Sequence, residues 1–125
     1  MYHDLNRVEV LGHLSQDPEM RVCADGPVTT FSVATNRPTK PDSAPETDWH
    51  RVVCFGKRAE FAGRYLKKGH PIFVEGRLIY STWEGRDGQK HRTAEIQARE
   101  LISLGRFPDA EPDAPGAVDD ADPSY

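Results

Sequence analysis

Over most of the first hundred residues the apolar positions alternate with polar ones, and alternation with a period of two marks half-buried strands. From Leu5 to Leu14, Val8, Val10 and Leu14 share a face with Gly12 between them, which predicts a first strand with a bend or bulge at the glycine. Asp17-Pro18 and Asp25-Gly26 are turn signals on either side of a short extended piece, Glu19–Cys23. A second strand is predicted from about Pro27 to Asn36, where Val28, Thr30, Ser32 and Ala34 alternate with Thr29, Phe31, Val33 and Thr35. Pro38, Pro41 and Pro45 bar residues 37–47 from pairing inside a sheet, so a loop is expected there. In the third strand, Asp48–Gly56, the side chains of Trp49, Arg51, Val53 and Phe55 share one face and those of His50, Val52 and Cys54 the other.

The period then changes. Phe61, Tyr65 and Leu66 stand at i, i+4 and i+5, so Lys57 to Leu66 predicts a short helix, with Lys67 and Lys68 at its C-terminal end and Gly69 as its left-handed cap. His70–Trp83 alternates again, with Phe73, Arg77, Ile79 and Trp83 opposite Ile72, Val74, Leu78 and Tyr80, and with Gly76 allowing a bend. Asp87-Gly88 predicts a hairpin, and the return strand runs from about His91 to Leu104 through Ala94, Ile96, Ala98 and Leu101. The expectation is an all-β chain of five strands with one short helix between strands 3 and 4, which is the element order of an OB-fold barrel.

Composition divides the chain. All 16 Lys and Arg lie in residues 1–107 beside 14 Asp and Glu, whereas residues 108–125 hold 6 acids and no base, so the net charge of -4 belongs to the tail. We therefore expect one folded domain over residues 1–107 and a disordered acidic tail over 108–125, rich in proline and poor in anything to bury. No apolar run is long enough for a membrane, and the N-terminus lacks the basic-then-apolar order of a signal peptide, so the expected compartment is the cytoplasm. Cys23 and Cys54 have no metal-ligand spacing, and both are expected to be reduced; His50 and Cys54 lie too far apart along a strand to start a metal site.

Two large aromatics flanking an arginine on one strand face fit stacked bases beside a phosphate backbone. The structural alternative is an ordinary core or subunit contact, since aromatics also fill pleated surfaces. No phosphate-cradling loop, nucleophile motif, HExxH or paired-carboxylate motif appears, so an enzyme is not expected, and neither is a cofactor or a metal.

At this point the chain resembles the bacterial single-stranded DNA-binding proteins. The resemblance is carried by Asn6-Arg7-Val8 with Leu11-Gly12, by Asp17-Pro18-Glu19 with Arg21, and by Phe31 through Ala34-Thr35-Asn36. It continues through Thr47 to Lys57, Tyr65-Leu66-Lys67-Lys68-Gly69 and Val74-Glu75-Gly76-Arg77-Leu78, covering about residues 5–106. It implies sequence-tolerant binding of single-stranded DNA by a homotetramer in DNA replication, recombination and repair, without catalysis, in the cytoplasm with the nucleoid.

By motif position Trp49, Phe55 and Trp83 look like the base-stacking aromatics of that family. The candidate phosphate contacts are Arg51, Arg7, Arg37, Lys57, Lys67, Lys68, Arg77 and Arg86, with Arg51 foremost because it lies between two aromatics. The chain departs from many relatives at Thr39, where an aromatic is common, and at Ile79 and Ser81, where bases are common. Weaker or more salt-sensitive binding is expected from those losses. The family commonly ends in an acidic segment with a partner-docking tip, and here Asp119, Asp120, Asp122, Pro123 and Tyr125 are the candidates for docking replication and repair proteins, against the alternative of a merely solubilising tail. Two other readings of the same fold are a protein-interaction adaptor of the primosome type and an RNA-preferring binder.

Overall fold

The computed structural model describes residues 3–105, and the tail with its candidate docking residues Asp119, Asp120, Asp122, Pro123 and Tyr125 lies outside them. The elements in order are β1 (Val8–Leu14), β2 (Glu19–Cys23), β3 (Gly26–Arg37), β4 (Glu46–Phe55), α1 (Lys57–Tyr65), β5 (Pro71–Glu84) and β6 (Lys90–Ser103). They form one mostly antiparallel sheet in the order β1-β5-β6-β4-β3-β2, and a further β1–β3 pairing closes it into a barrel. The five long strands and the helix between β4 and β5 keep the expected OB-fold order. The piece Glu19–Cys23, read from the sequence as extended but not counted, pairs with β3 from Glu19↔Thr30 to Cys23↔Gly26 and makes a sixth, outlying strand. All five of its residues are exposed, so the alternation of Glu19-Met20-Arg21-Val22 does not divide a buried face from an open one.

The core follows the predicted parity. Leu14, Phe31, Val33, Val52, Cys54, Ile72, Val74, Ile96, Ala98 and Leu101 are buried together inside the barrel, and Ala62 and Leu66 seal one end. Burial pushes the Cys54 thiol up to about 12, so it behaves as a small apolar group. The helix meets the barrel through Ala59 and Ala62 more than through Phe61 and Tyr65, whose rings meet at a tilt of 44° with centroids 5.6 Å apart. The expected cap is also displaced. The helix stops because Leu66 is extended, while Gly69 lies in the following turn and donates its N–H to the Leu14 carbonyl at 2.9 Å.

Two glycines shape the barrel. Gly12 carries no bulge: β1 keeps its register against β5, and the glycine instead faces β3, where a Cβ would stand 2.2 Å from the Ala34 carbonyl oxygen. Gly76 does mark an irregularity. The β5–β6 register shifts between Glu75 and Gly76, and a Cβ on Gly76 would stand 2.1 Å from the Gln97 carbonyl oxygen. Because Gly76 faces Ala98 and Glu75 faces Glu100, Arg99 is an extra residue in β6, and Ala98 and Leu101 both turn inward despite their odd spacing. Beyond this bulge β5 and β6 run on together to Glu84↔Lys90, so their distal half projects from the core as a two-stranded arm. The N-terminal segment is tied down by Asn6, whose side chain donates to the Leu78 carbonyl and accepts the Leu78 N–H, both at 2.9 Å.

Candidate nucleic-acid interface

Register carries one face across four strands. In β3–β4, Ala34 pairs with Trp49, Ser32 with Arg51 and Val28 with Phe55. β4 runs parallel to β6 with Val53 opposite Gln97, and the Arg51–Glu95 ion pair at 2.6 Å extends the same row. β6 then pairs Gln97 with Arg77, Glu95 with Ile79 and His91 with Trp83. Paired residues point to the same side of a sheet, so Trp49, Arg51 and Phe55 share an outward face with Arg77, Ile79 and Trp83. The opposite side of the same strands holds Val52, Cys54, Ile96 and Val74 in the core.

The three aromatics stay open on that face: Trp49 is 63% exposed, Trp83 50% and Phe55 47%. Rings of this size ordinarily find burial within a domain this small, and here the inner positions of the same strands are already filled by Phe31, Val33, Val52, Cys54, Val74 and Ile96. Beside Arg51 a polar groove of about 380 Å³ opens between the β1–β2 loop and the outward side of β3, lined by Gln16, Asp17, Glu19, Thr30, Ser32 and Arg51. Small side chains at Thr30 and Ser32 leave this space next to the aromatic row.

The candidate cations divide into two groups. Arg51 donates from Nε to Glu95. Arg37 makes a bidentate pair with Asp48, at 2.9 Å from both Nε and Nη2, and also reaches Glu46 at 3.1 Å. Arg7 contacts Glu9 at 3.0 Å and Glu75 at 3.5 Å. Arg77 donates to Gln97 Oε1 at 3.2 Å. Lys57, Lys68 and Arg86 form no ion pair among the described residues, and lie respectively at the start of α1, in the turn after it and at the tip of the arm. Lys67 sits in the same turn as Lys68.

Not all of these share the aromatic face. Arg37 belongs to the row of Thr35, Asp48 and His50, opposite to Trp49, so the structure does not bring it beside the aromatics. His50 is half-buried in that row and shares a hydrogen bond of 2.9 Å with Thr35 Oγ1. The hydrogen bond and charge of Arg37 hold the Asp48 carboxyl below the usual carboxylate range. Sequence reasoning missed Glu95, Gln97 and His91, which stand on the same outward row from the β6 side. Their parity was legible, but only the pairing of β6 with both β4 and β5 shows which residues they meet.

The sequence model of the Single-strand binding protein family matches residues 5–104. Single-stranded DNA-binding protein 1 of Xylella fastidiosa is 43% identical over 110 residues, spanning 84% of this chain and 81% of that protein. The single-stranded DNA-binding protein of Thermotoga maritima is 42% identical over 107 residues, spanning 82% of this chain and 76% of that protein. A solved structure, the Plasmodium falciparum SSB complex with ssDNA, superposes with a TM-score of 0.74 at 29% identity and covers 84% of this chain and 99% of that one. A family match across nearly the whole described body, relatives above 40% identity, and the same fold in the solved neighbour lead to one conclusion: this chain belongs to the single-strand binding protein family.

Proposed function

We propose that the protein binds single-stranded DNA without sequence preference and protects it during replication, recombination and repair. Trp49, Phe55 and Trp83 stack on bases, and Arg51, Arg77, Lys57, Lys67, Lys68 and Arg86 contact phosphates, with Arg7 and Arg37 nearer the margins. The observation that carries this reading is the run of three exposed aromatics on one outward face around Arg51. Every base offers a π-face, so such a platform holds a strand with little regard to sequence. The protein works by binding and performs no chemistry, as its relatives are single-stranded DNA-binding proteins. It acts in the cytoplasm at the nucleoid, and no helix among the described residues is long and apolar enough to cross a membrane.

The working form is a homotetramer. In support, β1 pairs with β5 along its length but with β3 only at His13 and Leu14, which leaves one edge open from Val8 to Leu11 among the described residues. Leu11 on this strand is 62% exposed. An open edge and an exposed leucine are what a second copy would cover. The folded domain is residues 1–107, and the acidic tail carries the docking tip Asp119, Asp120, Asp122, Pro123 and Tyr125 for partner proteins.

The test is tryptophan fluorescence during titration with oligo-dT at low and high salt, with mass measured in the same buffer. Strong quenching is expected, and Trp49→Ala or Trp83→Ala should each weaken binding by roughly 5- to 150-fold, the ~1–3 kcal/mol per base established for stacking on proteins of this kind and adopted as it stands. Absence of binding at low salt would overturn the reading, and the aromatic face would then be used as bait for a protein partner.

A further inference from the structure

At the tip of the arm the imidazole of His91 lies against the indole of Trp83, with ring centroids 4.5 Å apart and planes 23° from parallel. The two residues are register partners on the outward row, so the stack is built into the β5–β6 pairing and does not rest on a flexible loop. His91 Nε2 is also 3.7 Å from Asp87 Oδ1. The same oxygen accepts the Gln89 N–H at 3.0 Å, which fixes the carboxylate inside the turn. Gly85 makes the room for this arrangement: a Cβ there would stand 2.8 Å from His91 Nε2 and 2.9 Å from Asp87 Oδ1. One face of Trp83 is thereby occupied, and the indole still keeps half its surface open for a base.

The charge around this stack is sparse. On the outward row of β5, Ile79 and Ser81 separate Trp83 from Arg77; on β6, Thr93 separates His91 from Glu95, which Arg51 already engages. The turn contributes Asp87 and Arg86. Glu84, Lys90 and Arg92 have the opposite parity, and Arg92 sits over the Tyr80 ring at 4.3 Å on the other side of the arm. His91 is therefore the group on this face that can add a positive charge beside Trp83 within the neutral pH range.

We infer that His91 is the positioning residue for Trp83 and makes single-strand binding proton-linked: the imidazole holds one face of the indole, and its protonated form supplies a cation next to the base stacked on the other. This rests on the single-strand reading above. Asp87 and the π-face of Trp83 touch the ring with or without DNA, so their effect is common to the free and bound forms. A phosphate drawn to the arm favours the imidazolium, but only in the complex. The complex thus binds a proton more readily than the free protein, and affinity rises as pH falls through the histidine range.

The experiment is oligo-dT titration of the full chain at about pH 5.5 and about pH 8, a span that brackets imidazole and leaves thymine uncharged. Wild type is expected to bind roughly threefold to tenfold tighter at the lower pH. His91→Phe keeps a flat ring without a proton, and His91→Arg keeps a charge at both pH values, so in each the ratio should collapse to the background from the other histidines. A ratio in His91→Phe equal to that of wild type would overturn the inference. The positioning role is read separately in Trp49→Phe, where Trp83 is the sole indole: emission of the free protein should fall on acidification as the imidazolium quenches it, and His91→Phe should abolish that titration. Persistence of the titration in the double variant would also overturn the inference. Binding by wild type with no pH ratio overturns this inference alone, whereas no binding at either pH overturns the single-strand reading and this inference with it.

Discussion

Arg37 holds Asp48 through two parallel hydrogen bonds of 2.9 Å, and that fork is the largest reason the carboxyl is held below its usual range. Its sign follows from linkage. A carboxyl depressed in the folded state adds stability above its unfolded value and loses it as pH falls through the folded one. The pair is open to water, so its consequence is sought in titration and not in stability: Arg37→Ala should move the Asp48 midpoint up toward the ordinary carboxylate value, read by carboxyl-carbon NMR, and an unmoved midpoint would refute the assignment. The pairing also bears on binding. A phosphate approaching Arg7, Arg37 or Arg51 must displace a carboxylate, so each gains only the difference between two ion pairs, whereas Lys57, Lys68 and Arg86 give up no such partner.

Strand pairing sets how these residues act together. Glu95 reaches Arg51 because β6 lies parallel beside β4 over Val52↔Ile96 and Val53↔Gln97, and it is mostly shielded while Arg51 is half-open. Glu95→Gln keeps the shape and removes the competing charge. It should tighten oligo-dT binding at low salt and steepen the slope of log affinity on log salt by about 0.7, one further phosphate contact. An unchanged slope would place Arg51 off the path of the strand. In the neighbouring pair of strands, the bulge at Gly76 turns β5 and β6 from barrel wall into arm. Gly76→Ala would drive a methyl into the Gln97 carbonyl, and we expect a loss of about 3 kcal/mol in a denaturant titration. A loss below about 1 kcal/mol would mean that the arm yields at little cost.

On the scale of the whole molecule, a body with two more bases than acids carries a tail of six acids, so the negative net charge belongs to the tail and a polyanion approaching the body meets a domain near neutrality. Deleting residues 108–125 should tighten oligo-dT binding at low salt, with the difference fading as salt screens the tail, which a salt series on both chains would show. The shorter deletion of Asp119–Tyr125 should abolish capture of partner proteins, and unchanged capture would refute the docking role of the tip. Four copies of the domain would extend the aromatic face beyond one barrel, and the open edge of β1 is where the first pairing is expected.

Much of this was written in the chain as a linear pattern. A period of two placed Trp49, Arg51 and Phe55 on one face and Val52 and Cys54 on the other, because a strand leaves no other choice once one side must be dry. A change of period located the helix, and the prolines located the loop, expected over 37–47 but confined to 38–45 because Arg37, Glu46 and Thr47 lie outside the prolines and join the β3–β4 ladder. Parity within one strand cannot say which strand lies beside it, and this is where the sequence stopped. The pairing of Arg51 with Glu95, the stack of His91 on Trp83 and the exile of Arg37 to the row of Asp48 are contacts between segments from 8 to 44 residues apart. Even the shortest of them needs the turn and register of its hairpin. The six-stranded order and the bulge at Gly76 decided these meetings, since only closure of the sheet fixes which outward residues become neighbours.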